Sequence, residues 1–125
     1  MHDQKRSMTI AVVEDDAGVR TALEQLLRSA GYRALTFESA EAFLAHSDRG
    51  DVDCLIADIN LPGMSGVDLV RGLGDNGRRL PAVLITGRRD AATAALTRQA
   101  GEVPRLYKPF SDAALFEVIN RVMQK

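Results

Sequence analysis

The chain has 125 residues, 46% of them hydrophobic and 26% charged, with a formal net charge of −1 at pH 7. This length suits a single domain, and the near-neutral charge excludes the basic field by which proteins hold nucleic acid. No apolar run is long enough to span a bilayer, and the first residues lack the apolar core of a secretory signal. We therefore expect a cytoplasmic domain without direct contact to nucleic acid or membrane. The single cysteine, Cys54, fits a reducing compartment and lies in an apolar run, which predicts a core residue.

Five apolar runs of strand length alternate along the chain with five segments of helical spacing. In chain order the predicted elements are a strand over 9–14, a helix over 17–30, a strand over 33–37, a helix from 39 to about 50, a strand over 53–58, a helix from 65 to about 73, a strand over 81–86, a helix over 91–100, a strand over 103–107 and a last helix that begins at 111. The strands are nearly uniformly apolar, which is typical of parallel strands covered on both faces. We assign residues 9–124 to the domain and residues 1–8 to an N-terminal extension.

This alternation predicts an α/β fold, a doubly wound parallel sheet of five strands with five helices. The flavodoxin-like strand order 2-1-3-4-5 is favoured, and it places the ligand crevice at the carboxyl edge between strands 1 and 3. Those two strands lead into acidic residues. Strand 1 runs into Glu14, Asp15 and Asp16, and strand 3 ends at Asp58 before a loop rich in proline and glycine.

The side chains of Glu14, Asp15 and Asp58 are expected to converge at this crevice. Two carboxylates about 4 Å apart repel by about 4 kcal/mol at an effective dielectric near 20, so the group requires either protonation or a cation. A few carboxylates completed by water and phosphate oxygens suit Mg²⁺, with Mn²⁺ as the alternative cation. Asp16, one residue further on, is better explained as the N-cap of the first helix, with a modulating role at the site as the alternative.

Polar groups follow two further strands at the same edge. Strand 4 ends at Thr86, and the following Gly87 has no side chain, which leaves room for a bulky anion. Lys108 follows strand 5 and can reach toward Asp58 as a point charge that suits phosphate oxygens. Each signal is weak alone. Together, a carboxylate acceptor, a hydroxyl, an ammonium and a cation site are the parts needed for phosphoryl transfer to a carboxylate.

With these residues in place, the chain resembles the receiver domain of bacterial two-component response regulators over residues 9–123. The resemblance rests on four segments in fixed order: Val13-Glu14-Asp15-Asp16, Ile56 to Gly66 around Asp58, Ile85-Thr86-Gly87 and Lys108-Pro109-Phe110. It implies the CheY-like form of the flavodoxin-like fold. The threonine–glycine pair is most similar to receivers of the FixJ kind, which in longer proteins precede a helix-turn-helix output.

The resemblance implies that Asp58 is the phosphoacceptor and Asp15 the direct ligand of Mg²⁺. Glu14 would hold the metal mainly through water, and Asn60 would supply its backbone carbonyl. The implied partner is a sensor histidine kinase or a histidine phosphotransfer protein. The face formed by helix 4, strand 5 and helix 5 would change its protein contacts on phosphorylation, and it is also the expected interface of a homodimer.

The resemblance also implies that Thr86 hydrogen-bonds the phosphoryl group and that Lys108 pairs with it, and in this family the bond to Pro109 is often cis. One departure concerns the aromatic residue that usually stands three positions before the lysine. Arg105 occupies that position, and the nearest aromatic is Tyr107. The usual coupling between threonine and aromatic is therefore not expected in its ordinary form.

Arg88 occupies a position, two residues beyond Thr86, at which the family varies, and it either screens the phosphoryl group or is a solvated cation. Two other functions were weighed. A phosphatase of the haloacid dehalogenase type needs a second acid two residues after its nucleophile, and Asn60 stands there instead. The other alternative, suggested by Arg105, is a receiver-like interaction domain that is not phosphorylated. We expect a signalling domain, not an enzyme, whose only chemistry is its own phosphorylation and dephosphorylation.

Overall fold

The computed structural model describes residues 8–46, 51–75 and 80–124, and within them five strands alternate with five helices. The elements in chain order are β1 (Thr9–Val13), α1 (Ala17–Ser29), β2 (Arg33–Phe37), α2 (Ala40–Ala45), β3 (Cys54–Asp58), α3 (Gly66–Asp75), β4 (Ala82–Thr86), α4 (Ala91–Gln99), β5 (Arg105–Tyr107) and α5 (Asp112–Met123). None of the described helices combines the length and apolarity that a bilayer crossing requires.

The strands form one parallel sheet in the order β2-β1-β3-β4-β5. The predicted fold class and strand order are therefore confirmed. The three central strands are buried at every position, whereas the edge strands β2 and β5 are partly exposed. The central strands are therefore the more apolar ones, since both of their faces are covered by helices.

The core consists of two hydrophobic clusters, one on each face of the sheet. Successive strand residues point to opposite faces, so Ile10 and Val12 belong to one cluster and Ala11 and Val13 to the other. Cys54 belongs to the first cluster and is fully buried, as predicted. Because helices occupy both faces, the carboxyl edge of the sheet is where strand-end side chains meet.

Two elements are shorter than predicted by more than one residue. Helix α2 begins after its N-cap Ser39 as expected but ends at Ala45, because His46 has extended backbone angles; the remaining predicted helical positions, 47–50, lie outside the described residues. Strand β5 begins at Arg105 instead of residue 103. Pro104, which has no N–H to donate, still accepts a hydrogen bond from the N–H of Leu84. The predicted extension over residues 1–8 lies, apart from Met8, outside the described part of the chain.

Candidate functional site

Three acids meet at the carboxyl ends of β1 and β3. Carboxylate oxygens of Glu14, Asp15 and Asp58 all lie within 4.8 Å of one another. Glu14 and Asp58 are 1% and 6% exposed, whereas Asp15 faces solvent. Adjacent parallel strands bring these residues together because Val13 is the register partner of Ala57, one residue before each strand's acid.

The amine of Lys108 bridges the two buried acids. Its Nζ donates to Glu14 Oε1 at 2.8 Å and to Asp58 Oδ2 at 2.9 Å. Burial raises the pKa of Glu14 above its ordinary value, against the opposing hydrogen bond from Lys108. Burial alone would lower the pKa of Lys108, but its hydrogen bonds to the two carboxylates outweigh this and raise it. The lysine is therefore charged at neutral pH and acts as the internal cation of the cluster.

The donor set at this edge fits a hard divalent cation. It consists of carboxylate oxygens on one exposed and two buried acids, close enough to share one ion. Mg²⁺ and Mn²⁺ prefer oxygen ligands of this kind, and Mg²⁺ usually keeps several waters. The exposure of Asp15 gives such an ion a route in from solvent, and Glu14, Asp15 and Asp58 are the residues that could hold it.

Asp16 is part of the helix and lies outside this three-acid group. It is the N-cap of α1, where its Oδ1 accepts from the N–H of Val19 at 3.0 Å. Its own N–H donates to Glu14 Oε2 at 3.1 Å, which fixes the glutamate's second oxygen. Arg20, which is not among the site residues predicted from the sequence, donates from Nη1 to the carbonyl of Glu14 at 2.8 Å. The loop that carries the acids is thus held from the first turns of α1.

The loop after β3 is held from two sides. The N–H of Asn60 donates to Asp58 Oδ1 at 2.8 Å, which orients the carboxylate. On the other side, Glu41 of α2 accepts from the N–H of Met64 at 3.0 Å, and this bond lowers the pKa of Glu41. Gly66 lies so close that a Cβ there would collide with the backbone carbonyl of Asp58. A side chain at this position would displace the loop.

Thr86 is fully buried at the end of β4, and its hydroxyl is directed to the loop after β3. It donates to Asn60 Oδ1 at 2.6 Å, and it accepts from the N–H of Arg88 at 3.1 Å. The guanidinium of Arg88 lies in solvent, where it pairs with Asp90 at 2.8 Å. A Cβ at Gly87 would lie 3.8 Å from the side chain of Lys108, an ordinary van der Waals contact. The residue that follows Thr86 therefore lies beside the lysine.

Strand β5 presents Arg105 to solvent and Tyr107 beside Thr86, its register partner. The guanidinium of Arg89 lies over the Tyr107 ring, 4.0 Å from its centroid. The peptide bond between Lys108 and Pro109 is cis. Tyr107 is therefore the aromatic residue at this strand end, while Arg105 lies two positions earlier on the exposed edge.

Three residues of the site went unnoticed in the sequence, namely Arg20, Glu41 and Thr93. Thr93 accepts from Asn60 Nδ2 at 3.0 Å from within the first turn of α4. A signal for it was present, since Thr93 stands three residues after the cap Asp90, the spacing at which a side chain returns to its helix start. Arg20 and Glu41 have no such local signal, because they bond backbone atoms of separate segments.

The chain is similar in sequence and in fold to known proteins. Residues 10–120 match the family model of the response regulator receiver domain. The transcriptional regulatory protein FixJ of Rhizobium meliloti is 37% identical over 116 residues, which are 93% of this chain and 57% of FixJ. The response regulator protein TodT of Pseudomonas putida is 35% identical over 123 residues, 98% of this chain and 54% of TodT. The crystal structure of FixJ-N superimposes with a TM-score of 0.81 at 37% identity, covering 99% of this chain and 96% of that one.

The chain therefore belongs to the response regulator receiver domain family, a class of signalling domain. Within the family it is FixJ-like, as the threonine–glycine pair after strand 4 predicted. It spans about half the length of the curated relatives that it matches.

Proposed function

We propose that Asp58 accepts a phosphoryl group from a phosphohistidine, on a sensor histidine kinase or a histidine phosphotransfer protein, in a reaction that requires Mg²⁺ or Mn²⁺. The observation that carries the proposal is the group of Glu14, Asp15 and Asp58 with the amine of Lys108 on the two buried members. A carboxylate that lies beside a lysine amine and a candidate cation site suits an incoming phosphoryl dianion.

In the proposed transfer, each bond that breaks is matched by one that forms. A carboxylate oxygen of Asp58 attacks phosphorus, an O–P bond forms, and the N–P bond of the donor breaks. Its electron pair stays on the leaving imidazole, which takes a proton from solvent. Lys108 faces the carboxylate at 2.9 Å and pairs with the negative charge that arrives. A bound divalent cation would neutralise phosphoryl oxygens during the transfer, held by Asp15, by Glu14 mainly through water, and by the carbonyl of Asn60.

The consequence of phosphorylation is a change in protein contacts. A phosphoryl group adds roughly 1.5 to 2 negative charges at pH 7, and such a charge shifts a pre-existing equilibrium of the surrounding segments. The added group would lie near Thr86, Gly87 and Lys108. Thr86 and Gly87 precede α4 in the chain, and Lys108 follows β5. We propose that the face made by α4, β5 and α5 receives the change and binds partner proteins or a second copy of the chain. Nucleic acid and membrane are not proposed as direct partners, and the proposed compartment is the cytoplasm.

The chemistry proposed is that of a signalling domain, not of an enzyme with turnover. A phosphatase that forms an aspartyl phosphate needs an acid to protonate its leaving group. The side chain two residues after Asp58 is Asn60, and its carboxamide is already engaged by two threonines. Arg88 points to Asp90 and is proposed to modulate the approach of water or donor, with Arg105 and Tyr107 as modulators on β5.

Intact-mass measurement after incubation with Mg²⁺ and a small acyl phosphate tests the proposal. The wild type is expected to gain one phosphoryl mass, and the gain should disappear when the cation is chelated. Asp58→Asn should gain none. Asp68→Asn, which removes an exposed carboxylate from the first turn of α3, is the matched control and should behave as wild type.

A wild type that gains no mass where another receiver does would overturn the proposal. In that case the same measurement favours the alternative, an interaction domain that is not phosphorylated. Partner binding by Asp58→Asn at wild-type strength would support that alternative further.

A further inference from the structure

The carboxamide of Asn60 lies between two buried threonines. Its Oδ1 accepts from the Thr86 hydroxyl at 2.6 Å, and its Nδ2 donates to the Thr93 hydroxyl at 3.0 Å. Thr86 and Thr93 are 0% and 2% exposed, so both contacts are shielded from water. The backbone N–H of Asn60 holds Asp58 Oδ1 at 2.8 Å. One residue therefore touches the acceptor carboxylate, the end of β4 and the start of α4.

Thr93 transmits its contact to the cap of α4. Its N–H donates to Asp90 Oδ1 at 2.9 Å. The Arg88 guanidinium holds Asp90 Oδ2 at 2.8 Å. The contacts of Thr93 and Arg88 together lower the pKa of Asp90 to about 2. Thr93 thus joins the Asn60 carboxamide to the cap of α4.

The Thr86 hydroxyl carries only one proton. In this structure that proton is on the bond to Asn60 Oδ1. Phosphoryl oxygens are acceptors, so a phosphoryl group on Asp58 can bond Thr86 only by taking that proton away from Asn60. The carboxamide oxygen would then lack its donor between two buried threonines, where an unpaired acceptor is unfavourable. The carboxamide must turn to find another donor, and turning withdraws its nitrogen from Thr93.

We propose that Asn60 is a positioning residue whose side chain couples the state of Asp58 to the first turn of α4, by holding Thr86 with its oxygen and Thr93 with its nitrogen. This role belongs to the side chain and is separate from the metal contact proposed for the backbone carbonyl. It rests on the proposed function, because the competitor for the Thr86 proton is the phosphoryl group. The substitution that isolates it is Thr93→Val, which removes one hydroxyl and leaves Asp15, Asp58, Thr86 and Lys108 unchanged.

Two variants serve as controls for Thr93→Val. Thr93→Ser keeps the hydroxyl and should restore the coupling. Thr97→Val removes a second buried hydroxyl one turn further along α4, where the Thr97 Oγ1 donates only to the carbonyl of Thr93 at 2.8 Å among the bonds described. It matches the first variant in size, burial and helix but lies outside the contact with Asn60.

The measurement is the backbone amide NMR spectrum with Mg²⁺, before and after saturation with beryllofluoride, a mimic of the phosphoryl group. In wild type, Thr93→Ser and Thr97→Val, the amides of residues 90–94 should shift on saturation. In Thr93→Val these shifts should fall by about half or more, since the helix start no longer follows the carboxamide. The amides around Asp58 and Lys108 should shift as in wild type, which shows that the site is still occupied.

Four outcomes decide the matter. Full shifts of residues 90–94 in Thr93→Val would overturn the coupling, and so would an equal loss in Thr93→Ser or Thr97→Val. A wild type that does not bind beryllofluoride at all would instead overturn the proposed function. The role of Asn60 would be supported if, in Thr93→Val alone, the amides around Asp58 still shift and those of residues 90–94 do not.

Discussion

Lys108→Met is the substitution that exposes what the lysine does before any phosphoryl group arrives. The methionine side chain has similar length and no charge, so the packing of the stem is largely kept. Glu14 and Asp58 would then face each other without the amine that bonds both at 2.8 and 2.9 Å. We expect a loss of stability in the absence of divalent cations and a larger stabilisation by Mg²⁺ than in wild type.

The size of the effect follows from the distance between the two acids. Carboxylate oxygens within 4.8 Å of each other repel by about 3.5 kcal/mol at an effective dielectric near 20. The lysine side chain is 23% exposed, so water already screens part of its contribution. Glu14 can also escape the repulsion by protonation. We therefore expect Lys108→Met to lower the free energy of unfolding by about 2 to 3 kcal/mol at neutral pH.

The pH dependence of this loss has a definite sign. Burial raises the pKa of Glu14 above its ordinary 4.5, so the folded state binds more protons, and the stability linked to this group is lost as pH rises through the folded pKa. Removing Lys108 removes a group that lowers this pKa. The folded pKa should rise further, and the deficit of the variant should shrink as pH falls toward the ordinary glutamate value.

Urea unfolding followed by far-ultraviolet circular dichroism, with and without Mg²⁺, measures these differences. The matched control is Arg33→Met, which removes the same charge from an exposed position at the opposite end of the sheet. A cation at a hundredfold excess over its Kd stabilises a folded site by about 2.7 kcal/mol, and Lys108→Met should reach this at a lower Mg²⁺ concentration than wild type. Equal losses in the two variants, or equal Mg²⁺ responses of Lys108→Met and wild type, would refute the reasoning.

Two further predictions concern packing. Gly66→Ala should lower stability by about 1 to 3 kcal/mol and slow phosphorylation, because its Cβ collides with the Asp58 carbonyl. The control is Gly72→Ala in the same helix, which has nothing within 4 Å of its Cβ and should raise stability by about 0.5 to 1 kcal/mol. Urea midpoints in the reverse order would contradict this. Cys54, whose burial raises the pKa of its thiol to about 12, should be alkylated at pH 8 only through unfolding, and labelling of the native protein as fast as in urea would show otherwise.

The sequence predicts those parts of the fold that follow from a repeated pattern of residues along the chain. Strand identity followed from uninterrupted apolar runs, and strand order followed from the common winding of five-stranded parallel sheets. The positions of Glu14 and Asp58 followed because parallel strands end at the same edge. The end of α2 at Ala45 was not predictable in this way, since the apolar spacing before it does not determine where the backbone at His46 becomes extended.

Contacts between a helix and a separate loop were the other gap. Arg20 donates to the carbonyl of Glu14 in the loop before its own helix, and Glu41 accepts from the N–H of Met64 in the loop after β3. A long side chain has many backbone groups within reach, and the sequence does not say which is bonded. Thr93 differs, because its spacing from Asp90 marks a capping turn, although its contact to Asn60 depends on where α4 docks.

The donors around Asp58 explain why a modification at this carboxylate would reach α4. Both of its oxygens already accept a hydrogen bond, one from the N–H of Asn60 and one from Lys108. A phosphoryl group adds acceptor oxygens and no donors, so a new donor must come from the surroundings. Thr86 is buried at the end of the next strand with its proton committed to Asn60. If this proton is given to the phosphoryl group, Asn60 loses its donor and must rearrange relative to Thr93. A modification of Asp58 would then reach α4 because too few hydrogen-bond donors surround the phosphoryl group.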